Sequence, residues 1–255
     1  MERSKIRFSF WKNLFFFAYL FIFSGVVQSI FPFHLQALTV EKGEKKLEAI
    51  HSKLDLRYGT FKDEYPEQLM AAMFIGRNAK VLELGGNIGR NSCVIASILK
   101  NSKNLVVSEP CLQYAEQLQE NRDLNELEFQ IERSAVSKVN LMQSGWTTIP
   151  SHELLPGYTL VEVISFKKLQ KKYNIVFDTL VVDCEGALYQ MLYDDPSILK
   201  NIDLVIIEND FLDIVKFNFV KEKFQQNGLQ VVYSQAGGWG PCYDFFYQVW
   251  KKSKS

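Results

Sequence analysis

The sequence lacks several features that mark common protein classes. Its four cysteines lie far apart and form no CxxC pair: Cys93, Cys111, Cys184 and Cys242. Neither a zinc site nor a dense disulfide framework is therefore indicated. The chain has no excess of positive or negative charge, because it contains 29 Lys plus Arg and 29 Asp plus Glu. Without a broad basic field, nucleic acid is not expected as a partner unless a local basic patch exists.

Histidine patterns that bind metals are also missing. The chain has three histidines, and they form no HxH or HxxxH motif. Two acidic pairs, Asp183 with Glu185 and Glu208 with Asp210, could hold a hard cation only if they converge in space. No metal site is predicted from the sequence.

A long uncharged segment lies near the N-terminus. Residues 13–40 contain no Asp, Glu, Lys or Arg, and within them Leu14 to Phe33 is a mostly apolar run of 20 residues. A helix of about that length spans a bilayer. Basic residues dominate before the run, so the positive-inside rule predicts a single-pass signal anchor with a cytoplasmic N-terminus. A cleaved signal peptide ending near Ala37, which would leave a secreted or lumenal protein, and a helix packed on the protein itself are the alternatives.

The composition changes sharply after Val40 and divides the chain into three parts. Residues 1–40 form the predicted anchor or signal peptide, 41–64 a charged linker or first helix, and 65–252 one globular domain. No internal repeat or Gly/Ser-rich tract interrupts this domain. The chain is 47% hydrophobic and 23% charged, which is typical of a folded protein.

Short apolar strands alternate with amphipathic helices along the domain. The first five strands are predicted at 80–84, 104–108, 128–133, 179–183 and 204–207. This alternation predicts an α/β fold with a mostly parallel sheet covered on both faces. The last two strands, at 228–234 and 245–250, flank a Gly-rich loop, and they predict a C-terminal antiparallel hairpin.

The first strand runs into a glycine loop and then a helix, in the sequence VLELGGNIGRNS. In open α/β sheets such a loop presents backbone amides to a ligand. The dinucleotide fingerprint G-x-G-x-x-G does not fit, because Asn87 and Arg90 stand at its second and third glycine positions. The pattern Glu83-x-Gly85-x-x-x-Gly89 instead resembles motif I of class I S-adenosylmethionine-dependent methyltransferases. A tight turn that serves only helix–sheet packing is the alternative.

Glu109 ends the second predicted strand. It lies 20 residues after Gly89, near the spacing at which an acidic side chain reaches the ribose hydroxyls of a nucleotide ligand. A carboxylate can accept two O–H bonds, which suits a ribose. The alternative is that Glu109 caps the following helix.

The second half of the chain narrows the resemblance. The segment FDTLVVDCEGA, which contains Asp183 and Glu185, resembles the hydrophobic strand and D-x-E-G-x element of the FkbM family. The segment SAVS at 134–137 resembles that family's N-A-V-S segment. The glycine loop resembles its D-x-G-A-N-x-G loop, with Glu83 for the usual Asp and Gly86 for Ala.

The resemblance covers the chain from about Tyr65 to Trp250 and implies a Rossmann-like class I methyltransferase sheet with an antiparallel last strand. It also implies methyl transfer from S-adenosylmethionine to an acceptor hydroxyl, commonly of a sugar or a polyketide alcohol. S-adenosylmethionine is thus the expected cofactor, and a sugar or glycan is the expected acceptor. The residues expected to bind the cofactor are Glu83, Gly85, Gly86, Asn87, Gly89, Glu109, Ser134 and Ala135.

Carboxylates at the ends of the later strands are the candidates for catalysis. Asp183 is the first candidate for the base and Glu185 the second, because ligands of open sheets bind beyond the carboxyl ends of the strands. A helix cap or a loop salt bridge is the alternative for each. The loop residue His152 is a weaker candidate. A non-catalytic module that binds cofactor or glycan is the main alternative function, whereas the broken dinucleotide fingerprint disfavours an oxidoreductase.

Overall fold

The computed structural model describes residues 39–145, 147–151 and 153–253. Its centre is a seven-stranded sheet with the strand order β11-β12-β10-β9-β1-β2-β3. The strands of this sheet are β1 (Val81–Leu84), β2 (Leu105–Ser108), β3 (Gln130–Glu132), β9 (Thr179–Val182), β10 (Leu204–Glu208), β11 (Leu229–Gln235) and β12 (Tyr247–Lys252).

Parallel pairing brings the carboxyl ends of the central strands to one edge of the sheet. Leu84 pairs with Ser108 of β2 and with Val182 of β9, and Val182 pairs with Ile207 of β10. The strands β1, β2 and β9 are buried along their whole length, as expected for a parallel sheet with helices on both faces. The residues that directly follow these strands therefore lie side by side.

The last strand runs against the others. β12 pairs antiparallel with both β10 and β11, so the C-terminal hairpin predicted from the sequence is confirmed. The α/β class and the mostly parallel sheet are confirmed with it.

Helices cover both faces of the sheet. Their bounds are α1 (39–51), α2 (Tyr65–Phe74), α3 (Arg90–Ile98), α4 (Leu112–Leu124), α5 (Phe166–Tyr173), α6 (Leu188–Asp194) and α7 (Ile214–Gln226). Neighbouring strand residues alternate between two core clusters, since Leu82 belongs to one and Val81 to the other. This alternation is the period of two expected for strands between two helical layers.

The charged stretch after Val40 was expected to be a linker or a first helix. Its first part belongs to the helix α1, whose Leu47 is fully buried in a core cluster, so this part packs on the domain. Other elements were not predicted from the sequence. Between β3 and α5 the chain forms short strands in two small sheets: β4 (Ala135–Val136) with β8 (Val163–Ile164), and β5 (Leu141–Ser144) with β6 (Thr147–Pro150) and β7 (Thr159–Val161). The helix α5 was missed as well.

Within the part of the chain that the structure describes, no helix combines the length and the apolar character needed to cross a membrane. The predicted N-terminal span, Leu14 to Phe33, and the candidate His152 lie outside the described residues.

Candidate functional site

A cavity of about 320 Å³ opens at the carboxyl ends of the central strands. This volume lies within the range usual for small-molecule sites. Six of the residues predicted for the site line it: Gly85, Asn87, Glu109, Ala135, Asp183 and Glu185. The strand order therefore brings together residues from four separate stretches of the sequence.

Glu109 holds the glycine loop through its carboxylate. Its Oε2 accepts a hydrogen bond from the backbone N–H of Asn87 at 2.8 Å, and its Oε1 accepts one from the N–H of Cys111 at 2.8 Å. Burial raises the pKa of Glu109, and these backbone hydrogen bonds partly offset that effect. Each carboxylate oxygen has a second lone pair, so the same group can also accept hydroxyl hydrogen bonds from a ligand in the cavity.

Two glycines of the loop are required by packing. Gly85 has φ +84°, and an ideal Cβ at this position would overlap the carbonyl oxygen of Asp183. A Cβ on Gly86 would overlap the side chains of Val107 and Leu118. The packing interpretation of this turn therefore holds for both positions, while Gly85 also lines the cavity.

Four residues predicted to bind the cofactor are not part of the described cavity lining: Glu83, Gly86, Gly89 and Ser134. Glu83 is 2% exposed and accepts a hydrogen bond from the Ser92 hydroxyl at 2.5 Å. Burial raises the pKa of Glu83 to about 8. The hydroxyl of Ser134 donates to Glu132 at 2.7 Å. The side chains of Glu83 and Ser134 thus form hydrogen bonds with other protein groups beside the cavity and are not part of its lining.

Three carboxylates meet at the sheet edge beside the cavity. Glu67 of α2, Asp183 after β9 and Glu208 at the end of β10 each place an oxygen within 4.8 Å of the other two. Burial, together with the neighbouring negative charges, raises the pKa values of Asp183 and Glu67 well above their usual range. Asp183 and Glu208 line the cavity, whereas Glu67 does not.

Sequence reasoning missed Glu67. It follows Pro66 in the first turn of a helix, where a carboxylate is ordinary because it interacts favourably with the helix dipole. Its burial results from the packing of α2 against the end of β10, and no local pattern reveals that contact.

Glu185 has an unusual backbone conformation. Its φ is +52°, a left-handed value that costs a non-glycine residue about 1–2 kcal/mol. The next residue, Gly186, donates its N–H to Asp210 Oδ1 at 2.8 Å. Burial and the negative charge of Glu208 raise the pKa of Glu185. Strain of this kind is often found at functional sites.

The cavity lining also includes residues of the small sheets and of α6. Gln143 of β5, Thr148 of β6, and Gln190 and Met191 of α6 belong to it. Of the described residues that line the cavity, none is a lysine or an arginine, while five carry carboxylates: Glu64, Glu109, Asp183, Glu185 and Glu208. The cavity is therefore suited to ligands without net negative charge.

Solved structures with a similar fold include several methyltransferases. The ribosomal protein L11 methylase of Lactobacillus delbrueckii subsp. bulgaricus is 12% identical, with 78% of this chain and 82% of that chain covered and a TM-score of 0.49. A putative tRNA (m1A22) methyltransferase of Streptococcus pneumoniae, in complex with S-adenosyl-L-methionine, is 13% identical over 75% of this chain and 74% of that chain, with a TM-score of 0.46.

An O-methyltransferase of Bacillus cereus, in complex with SAH, is 14% identical over 84% of this chain and 90% of that chain, with a TM-score of 0.43. No protein-family model matches the sequence, and no curated protein matches it significantly. Structural likeness of this extent does not establish an activity or a family for the chain.

Proposed function

We propose that this protein is an S-adenosylmethionine-dependent O-methyltransferase. The observation that carries the proposal is the position of Glu109. Glu109 directly follows β2 and lines the cavity, and its carboxylate accepts a hydrogen bond from the backbone N–H of Asn87 at 2.8 Å. An acidic residue at this place in an open α/β sheet is suited to bind the two hydroxyls of a ribose.

The described residues fit the cofactor. Gly85 and Asn87 border the cavity beside Glu109, where the glycine loop is expected to bend around the amino-acid part of the cofactor. Pro110 and Cys111 also line the cavity, in the position expected for contact with the adenine. The negatively charged wall favours a sulfonium cation.

When bound, S-adenosylmethionine supplies a methyl group: its carbon–sulfur bond breaks while an acceptor oxygen bonds the methyl carbon. The acceptor hydroxyl must therefore lose its proton. Asp183 and Glu185 both line the cavity, and we assign to them the roles of orienting the acceptor and receiving that proton. General-base catalysis of this type raises the reaction rate by about 10²- to 10⁴-fold. Both carboxylates have raised pKa values, which makes their ionised forms stronger bases.

We propose a neutral sugar hydroxyl as the acceptor. The family resemblance suggests this class, and the lining residues Gln143, Thr148 and Gln190 carry amide and hydroxyl groups that can form hydrogen bonds to a polyol. Acceptors that carry phosphate or carboxylate groups are disfavoured by the carboxylates of the lining.

Calorimetry with S-adenosylmethionine tests the proposal. We expect saturable binding to the full-length chain, and we expect Glu109→Gln to weaken it about tenfold or more, because one acceptor oxygen is replaced by an amide donor. Glu132→Gln is the matched control, since Glu132 is a buried carboxylate at the end of the next strand, β3, outside the cavity lining. Absence of binding to the wild type contradicts the proposal, and binding without turnover of any acceptor favours a non-catalytic module.

A further inference from the structure

Two carboxylates of the cavity wall have no positively charged partner in the part of the chain that the structure describes. Asp183 and Glu208 line the cavity, and among the described residues neither forms an ion pair with Lys, Arg or His. The nearby Arg90 pairs elsewhere, with Glu64 at 2.6 Å and Asp63 at 3.8 Å. No cationic side chain of the described residues neutralises these two carboxylates, so protons or a bound cation must do so.

A third, buried carboxylate points to a ligand at this edge. Glu67 is 4% exposed, and it brings an oxygen within 4.8 Å of those of Asp183 and Glu208. Its Oε1 has no hydrogen-bond partner among the described residues. The nearby Asp210, 6% exposed, likewise leaves its buried Oδ2 without one. Burying an unpaired carboxylate is costly, and bound metal ions are one of the few ways to offset that cost.

The spacing of the three oxygens suits one metal ion. Oxygens that bind the same Ca²⁺ at 2.3–2.6 Å can be up to about 5 Å apart, and those that bind Mg²⁺ at 2.0–2.1 Å up to about 4 Å. The three oxygens lie within 4.8 Å of one another, which suits Ca²⁺. For Mg²⁺ they would need to move only slightly closer together. All three donors are carboxylate oxygens, the ligands that hard cations prefer.

We propose that Glu67, Asp183 and Glu208 bind a hard divalent cation, Mg²⁺, Mn²⁺ or Ca²⁺, at the edge of the cavity. Glu67 lies outside the cavity lining, while the other two line it. Coordination positions not used by these carboxylates are therefore open to water or to an acceptor oxygen.

This site deepens the proposed function and rests on it for its role in turnover. A hydroxyl bound to the cation loses its proton more readily, because the positive charge stabilises the alkoxide. With Asp183 engaged as a ligand, Glu185 is the cavity carboxylate left to receive the proton. The cation thereby binds the acceptor and activates it.

Titration of the full-length chain with Mn²⁺, followed by electron paramagnetic resonance after treatment with a chelator, tests the site directly. We expect one tightly bound Mn²⁺ per chain, displaced by excess Mg²⁺ or Ca²⁺. Glu67→Gln should weaken this binding about tenfold or more, because a charged ligand is lost. Glu132→Gln is the matched control: Glu132 is 3% exposed and outside the cluster, and its variant should bind Mn²⁺ like the wild type.

Thermal unfolding separates a metal ligand from a merely structural residue. Mn²⁺ should raise the Tm of the wild type by several degrees and that of Glu67→Gln by clearly less at the same Mn²⁺ concentration. Without metal, Glu67→Gln should unfold at the same temperature as the wild type or higher, since it removes a buried charge beside two others. If Glu67→Gln does not fold, Glu208→Gln is tested in the same way.

Absence of tight Mn²⁺ binding by the wild type overturns the proposal and indicates that the cluster is neutralised by protons. Equal Mn²⁺ affinity in the wild type and in Glu67→Gln also overturns it. Calorimetry with S-adenosylmethionine in the presence of chelator measures cofactor binding independently of the metal. Cofactor binding without metal binding leaves the proposed function in place and removes only the cation, whereas metal binding without cofactor binding removes the proposed function.

Discussion

The backbone of Gly85 lies directly against the carbonyl oxygen of Asp183, so closely that a Cβ on Gly85 would overlap this oxygen. The N–H of Asp183 in turn donates to the carbonyl of Leu84 at 3.0 Å. These contacts join the ends of β1 and β9, which are neighbours in the sheet but far apart in the chain. The glycine is therefore required by the fold, independently of any ligand.

Gly85→Ala should destabilise the protein by about 3 kcal/mol or more, because it combines a positive φ with a backbone clash. Urea unfolding measures this loss. Gly157→Ala is the matched control, since Gly157 has φ +79° but no neighbouring atom of the described residues within 4 Å of its Cβ position, and it should cost only about 1–2 kcal/mol. Equal losses in the two variants contradict the packing argument.

Asp183→Asn should lower turnover about 10²-fold or more, which is about 2.7 kcal/mol of transition-state stabilisation, with little change in cofactor affinity. Glu185→Gln is measured in parallel, and a loss there at least as large as in Asp183→Asn assigns the proton transfer to Glu185. Turnover is followed as cofactor consumption with a panel of neutral sugars. Asp203→Asn is the control, because Asp203 is exposed and precedes β10 at the opposite edge of the sheet. Wild-type rates in both test variants contradict a role for these carboxylates.

Glu83 should make the stability of the protein depend on pH. Burial raises its pKa from 4.5 to about 8, so in the folded protein it keeps its proton over a range in which the unfolded chain has lost it. The stability that it contributes is complete below about pH 4.5 and is lost as the pH rises through about 8.

The comparison variant is Glu83→Gln, which keeps a neutral polar group. From about pH 5 to about pH 8, the wild type should lose up to several kcal/mol of unfolding free energy relative to this variant. Chemical unfolding at a series of pH values measures the difference. Parallel stability curves for the two proteins contradict a raised pKa at Glu83.

The N-terminal segment remains a prediction from the sequence. If Leu14 to Phe33 spans a membrane, the full-length protein should stay in the membrane fraction after a carbonate wash. A chain that begins at residue 39, and so keeps α1, should be recovered in the soluble fraction. Release of the full-length protein by carbonate contradicts the anchor, and a mature N-terminus near Leu38 indicates a cleaved signal peptide.

Much of the fold could be predicted because its signals are local. The apolar strands and the glycine loop after β1 are visible in short stretches of sequence, and so is the alternation of strands with helices. Parallel strands align their carboxyl ends, so the meeting of Gly85, Glu109 and Asp183 at one edge follows from the fold class. The small sheets of the inserted segment were missed, since their strands are only two to four residues long and carry weak patterns.

The sequence by itself determined the α/β class, the antiparallel last strand and the carboxylates at the strand ends. Only the tertiary structure decided that Glu83 and Ser134 lie beside the cavity and not in its lining, and that Glu67 joins Asp183 and Glu208. Periodicity reports the environment of a residue within its own element, whereas the meeting of Glu67 with Glu208 depends on how α2 and β10 pack together. Such contacts between distant segments arise from side-chain packing, which no local pattern encodes.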